Sequence, residues 1–216
     1  MPVVSAIGGK GGIGKSNFIF NATKFFMDHF DRVEIVDLDI NQKTVTKLNL
    51  LRKSMGSDPL PVLKEEVTRE MLVTMKKDKD TLYLVDVGGF DSDIQRMVTY
   101  ISDYMITFTS LDSEEIFELK TLVGILEEIE FNANRHAIAH VLINKYHPST
   151  KDFSEVENTV AKYNRFLKLL KSRTAFRADY RASKKNGRVL HELSEYNEAR
   201  KEFKAVVDEI MEAING

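Results

Sequence analysis

Residues 6–18 read AIGGKGGIGKSNF, with Lys10 and Lys15 set among glycines directly after the first apolar stretch. Gly9, Gly14, Lys15 and Ser16 satisfy the spacing G-x-x-x-x-G-K-[ST], and Gly11, Gly12 and Ile13 fill the interval. Glycine suits such a turn because the backbone must wrap a phosphate closely with its N–H groups inward, where side chains would collide with it. In this pattern Lys15 sets a compact positive charge on the β- and γ-phosphates and the Ser16 hydroxyl can ligate Mg²⁺. The helix that starts there adds the positive end of its dipole. The competing reading is an ordinary glycine-rich turn, and the place of the motif between a strand and a helix candidate argues against it.

Outward from this turn, short apolar runs alternate with longer stretches of helical period, the pattern of an α/β domain with a doubly wound, mostly parallel sheet flanked by helices. Strands are expected at 2–8, 32–38, 81–87, 103–109 and 137–144, and helices at 15–29, 91–101, 112–130, 152–172 and 195–214. Asp112 and Glu115 can cap the third of these helices. The stretch 52–66, with two prolines, reads as a loop with a short helix. The second strand candidate ends in VDLDINQ and the third in LVDVGGF, which puts Asp37, Asp39 and Asp86 at the carboxyl edge of the sheet, where open α/β folds bind ligands. Carboxylates there can hold the hydration shell of Mg²⁺; as plain strand-end turn residues they would carry no chemistry.

With 216 residues, 43% of them hydrophobic, one sizeable core is possible, and a single domain over 1–216 is expected. There is no cysteine, so disulfides and thiolate metal sites are ruled out and a reducing, cytoplasmic setting is expected. No secretory signal opens the sequence, and no apolar run nears the roughly 18 residues of a membrane span.

The net charge of −2 conceals an asymmetry. Residues 162–188 carry ten basic side chains and one acidic, while the remainder carries 21 basic and 32 acidic. Such a segment is either a solvated face or the electrostatic footprint of a nucleic-acid surface. The five histidines form no site: His136 and His140 would share a face only on a helix, and HAIAHVLI reads as a strand.

KGGIGKS at 10–16 resembles the deviant phosphate loop of the ParA/MinD family of ATPases, whose signature is the early lysine. The likeness continues through DLDINQ at 37–42, LVDVGG at 84–89, LINKYHP at 142–148 and an R-x-x-K-K-x-G-R-V stretch at 181–189. It implies an ATP-sandwiched homodimer in which Lys10 reaches the partner's phosphates. It also implies Mg²⁺ organised by Ser16, Asp37 and Asp86, an attacking water oriented by Asp39, and a Gly89 N–H near the γ-phosphate. Asn144 resembles the residue that reads adenine, although a strand-end asparagine capping a turn fits equally.

The sequence departs from the ParA pattern at Asn17, at Ile40–Gln42 and at Val87–Gly89. By resemblance to short plasmid-type ParA proteins, Arg173, Arg177, Arg181, Lys184, Lys185 and Arg188 would bind duplex DNA without sequence preference. The ATP form would then associate with the nucleoid, away from membranes, and a ParB-like partner would stimulate hydrolysis. The alternatives are a MinD-like membrane-positioning ATPase and a ligase resembling dethiobiotin synthetases. The acidic polar face of 195–214 disfavours anionic lipid, so its apolar stripe is expected to dock on the core. Iron–sulfur reductases of the superfamily need cysteines and are excluded.

Overall fold

A computed structural model describes residues 2–9, 11–39, 41–88 and 93–215. Five strands fall where the apolar runs predict them: β1 (Val3–Ala6), β2 (Val33–Asp37), β3 (Leu82–Asp86), β4 (Tyr104–Thr109) and β5 (Ala139–Tyr146). With β6 (Leu167–Leu169) and β7 (Thr174–Ala175) they form a seven-stranded sheet of order β2-β3-β1-β4-β5-β6, and β7 pairs with the far end of β5. Every pairing among these strands is parallel. From β1 the chain crosses to the edge strand β2, returns to β3 beside β1, and then passes to β4, β5 and β6 on the other side, so a crevice opens at the carboxyl end of β1.

The described helices are α1 (Lys15–Met27), α2 (Thr44–Ser54), α3 (Arg69–Lys77), α4 (Asp93–Ile101), α5 (Ser113–Ala133), α6 (Ser154–Lys162), α7 (Ala178–Lys185) and α8 (Glu198–Asn215), with a 3₁₀ turn at Leu190–Glu192. Alternation along the strands divides the core. Val4, Ala6, Ile35, Leu84 and Ile106 face α1, α2 and α8, whereas Val3, Ile7, Val36, Val85 and Met105 face α3 to α6. α1 is sandwiched between sheet and α8: Phe18 meets Phe108 at 5.5 Å and Phe203 at 5.4 Å between ring centroids. The apolar stripe of α8 (Ala199, Phe203, Val206, Val207, Ile210) is buried on the core as expected, but Tyr196 lies outside the helix and is exposed. Asp112 caps α5 through the Glu114 N–H at 2.9 Å, and Glu115 reaches back to the Ser110 N–H at 2.8 Å.

Two expectations are corrected. The helix expected over 152–172 stops at Lys162, and Leu167–Leu169 crosses into the sheet as β6. The stretch 52–66 contributes only the last turn of α2. Beyond it the chain runs extended along β2, with the Ile35 N–H donating to the Pro61 carbonyl and the Leu63 N–H to the Ile35 carbonyl, both at 2.8 Å. His136 and His140 are apart: His136 pairs with Glu130 at 2.9 Å, and His140 stacks on Tyr104 with ring centroids 4.0 Å apart.

Candidate functional site

β1 ends at Ala6 and α1 begins at Lys15, so the glycine turn lies at the carboxyl edge of a central strand. No side chain caps α1 and its first turn has no acidic residue, which leaves its N-terminal N–H groups to an anion. Gly14 has φ 123, and a Cβ there would stand 2.5 Å from the Asn144 Nδ2. Gly14→Ala is therefore expected to displace Asn144 and destabilise the fold by about 1–3 kcal/mol. The check is a lowered denaturant midpoint at unchanged slope.

Lys15 is 7% exposed. Burial pulls its pKa below the usual lysine value, opposed by the charges of Asp86, Asp39 and Glu118. Asp86 is fully buried, and among the described residues neither of its carboxylate oxygens has a partner at hydrogen-bond distance. Burial raises its pKa to about 7, helped by the negative charge of Asp37 and resisted by the Ser16 hydroxyl and Lys15.

Asp37 is differently placed. Its Oδ2 accepts from the Thr46 N–H (2.9 Å) and hydroxyl (2.7 Å), and its Oδ1 from the Asp39 N–H (3.3 Å). The two aspartates that the sequence treats alike thus split: Asp37 is held by α2, while Asp86 has open oxygens. Asp39 accepts from the Gln42 N–H at 3.0 Å, and its carbonyl accepts from the Lys43 N–H at 2.8 Å. A hydroxyl and an unpartnered carboxylate are hard oxygen donors that fit Mg²⁺. Among the described residues no cluster of three His, Asp or Glu side chains forms an all-protein metal cage.

Lys15, Ser16 and Asp39 open onto a cleft of about 510 Å³, whose lining includes neither Asp37 nor Asp86. Its floor includes Gly9, Gly11, Gly12, Gly14, Lys15, Ser16 and Asn17, and one wall carries Asp39 and Gln42. The opposite wall carries Lys145 of β5 and Tyr180, Arg181 and Lys184 of α7. A side compartment of about 230 Å³ adjoins it, where Asn144 lies beside Asn17, Phe176, Tyr180 and Arg181. The Asn144 Nδ2 donates to the Ile13 carbonyl at 2.8 Å and its Oδ1 accepts from the Thr174 hydroxyl at 2.8 Å, so one amide N–H is left for a ligand. A larger hollow of about 800 Å³ lies beyond Asp37, between α2 and the extended segment, and has none of the glycine turn in its lining.

The described turn residues and Asp39 thus line one cleft, whereas Asp37 lines the larger hollow and Asp86 is buried outside both linings; Lys10 and Gly89 lie outside the described residues. The sequence reading missed Lys145, which follows Asn144. It adopts φ 59, a costly backbone for a lysine, and its ammonium donates to the Gly12 carbonyl. The basic segment proves heterogeneous. Arg173 pairs with Glu157 at 2.8 Å and lies over the Phe153 ring, and Arg177 pairs with Glu202 at 2.5 Å. Arg181 and Lys184, three residues apart on one face of α7, turn toward the cleft. Lys185 and Arg188 are exposed.

Fold and cleft together give a parallel α/β protein with a glycine turn of phosphate-loop spacing at the head of α1. No described protein family matches the chain, and no curated protein matches it in sequence. Among solved structures, the cell division ATPase MinD of Pyrococcus furiosus superposes with a TM-score of 0.74 at 15% identity, over 98% of this chain and 99% of that one. A ParA family ATPase of Chlorobium tepidum gives 0.73 at 14%, over 95% and 97%. The septum site-determining protein MinD of Pyrococcus horikoshii, solved with Mg-ADP, gives 0.71 at 14%, over 100% and 98%. The structural neighbours are ATPases of the ParA/MinD family, and the chain has their fold.

Proposed function

We propose that the protein is a Mg²⁺-dependent ATPase of ParA type, which dimerises around ATP and then binds duplex DNA without sequence preference to position a cargo. The observation that carries the nucleotide reading is the buried Lys15 at the head of α1, beside an Asp86 carboxylate with open oxygens. Loop N–H groups and Lys15 bind the β- and γ-phosphates, and the spare Asn144 N–H offers a contact to the base. Asp39, oriented by the Gln42 N–H, holds and polarises the attacking water. Ser16 and Asp86, with Asp37 behind them, would hold Mg²⁺, which would supply neutralisation of the charge on the phosphates. The finer assignments follow the resemblance: Lys10 reaches the partner's phosphates, the Gly89 N–H meets the γ-phosphate, and a ParB-like protein stimulates turnover.

For DNA, the exposed Lys185 and Arg188 carry the proposal, with Arg181 and Lys184 at its border. Arg173 and Arg177 are already neutralised by carboxylates. Two protomers joined by ATP double the cations available, so binding is expected only with ATP. The logarithm of affinity should fall with log salt at a slope of roughly −4 to −7, flattened by about 2–4 in a Lys185→Ala/Arg188→Ala variant. ATP turnover with and without duplex DNA, together with gel shifts across salt concentrations, tests this. Capture by anionic vesicles in place of DNA would favour the MinD-like reading, although the apolar face of α8 is packed on α1 and not offered to lipid.

A further inference from the structure

Arg52 is the largest side chain that is fully buried, with 1% exposure, and the chemistry above makes no use of it. It stands in the last turn of α2 and all of its guanidinium nitrogens donate. Nε reaches the Asp58 carbonyl (2.5 Å), Nη1 the Gly187 carbonyl (3.1 Å) and Glu192 Oε2 (2.9 Å), and Nη2 Glu192 Oε1 (2.5 Å). The fork-on-carboxylate geometry fixes direction as well as distance. Gly187 strengthens the junction: it has φ +62, and a Cβ there would come within 2.6 Å of the Arg52 Cα, so no other residue lets the two backbones meet.

Both partners of this junction lead to the cleft. The opposite end of α2 carries the aspartate loop, since Thr46 holds Asp37, and Lys43 and Gln42 hold Asp39. Gly187 and Glu192 follow directly on α7, whose Arg181 and Lys184 line the cleft. Lys184 also faces Gln42, Thr44, Leu48 and Leu51 across a shallow groove.

We infer that the Arg52–Glu192 pair is a positioning element of the nucleotide site. It clamps α2 to the segment after α7, so that the aspartate loop and the cations Arg181 and Lys184 are held in register across the cleft that takes the phosphates. The inference rests on the nucleotide reading above. Because the cations it aligns act on phosphate charge, loosening the clamp weakens ligands in proportion to their phosphates. A loss of general packing weakens all of them alike.

The test is binding of ATP, ADP and adenosine, each with Mg²⁺, to the full chain and to Glu192→Gln, which keeps side-chain size but not charge. The expected result is a loss of roughly 5- to 30-fold for ATP, less for ADP and none for adenosine. In a double-mutant cycle, Lys184→Met should already contain much of that loss, so Glu192→Gln adds little to it. Equal losses for the three ligands, or additive losses in the cycle, would overturn the inference. Should Glu192→Gln fail to fold, Arg52→Lys serves, because it keeps the charge and removes the fork; the same graded loss is expected. A wild-type chain with no affinity for Mg-ATP is a different failure, that of the nucleotide reading itself.

Discussion

Lys15→Met should lower affinity for Mg-ATP by about 100- to 1,000-fold while leaving the unliganded protein at least as stable as the wild type. The affinity loss follows from removing one member of a desolvated charge pair, about 3–4 kcal/mol. The stability expectation follows from the burial that holds the lysine pKa down: the fold bears a cost for this cation that an isosteric apolar side chain lacks. Calorimetric titration with Mg-ATP and a thermal melt give the two readings. An unchanged affinity in the folded variant would rule out a phosphate role for the glycine turn.

Asp86→Asn should act in opposite directions on stability and on ligand binding. The carboxyl has a pKa of about 7 in the fold against 3.8 ordinarily, so the folded chain holds more protons between those values. Its stability is then highest, as far as this group decides it, below the ordinary carboxylate range, and declines as pH rises toward 7. Above that the cost is on the order of 4 kcal/mol, shared with Lys15 and Ser16. The asparagine variant, with no proton to lose, should melt roughly 5–12 °C higher than the wild type at pH 8 and show a flatter stability profile between pH 4 and 7. It should also lose the Mg²⁺-dependent part of nucleotide stabilisation. A variant less stable than the wild type at pH 8 would contradict the isolation of this carboxylate.

What the sequence disclosed depended on whether one local rule decided the outcome. The glycine turn was legible because backbone wrapping admits few residue types, and five strands were legible because parallel strands buried on both faces read as continuous apolar runs. FLKLL at 166–170 fits a helical face and a short strand equally, and only pairing with β5 makes it β6. α2 escaped notice because its start, Lys43, adopts a left-handed backbone and caps nothing with its side chain. Asp37 and Asp86 look equivalent along the chain; Thr46, nine residues beyond Asp37, separates them. Charge counting found the basic segment but not its partners, since Glu157 and Glu202 come from other helices.

β2 is the outermost strand on its side of the sheet, and the segment holding Pro59, Leu60, Pro61 and Leu63 lies against it. Ile35, at the middle of β2, has both its N–H and its carbonyl occupied by that segment. Exposed strand edges invite other chains to add to them, and proline offers no N–H with which a further strand could pair. The sheet is thus closed on this flank by a short strap that does not hand its pairing on. Two copies meeting at high local concentration therefore have no ready strand-to-strand contact on this flank.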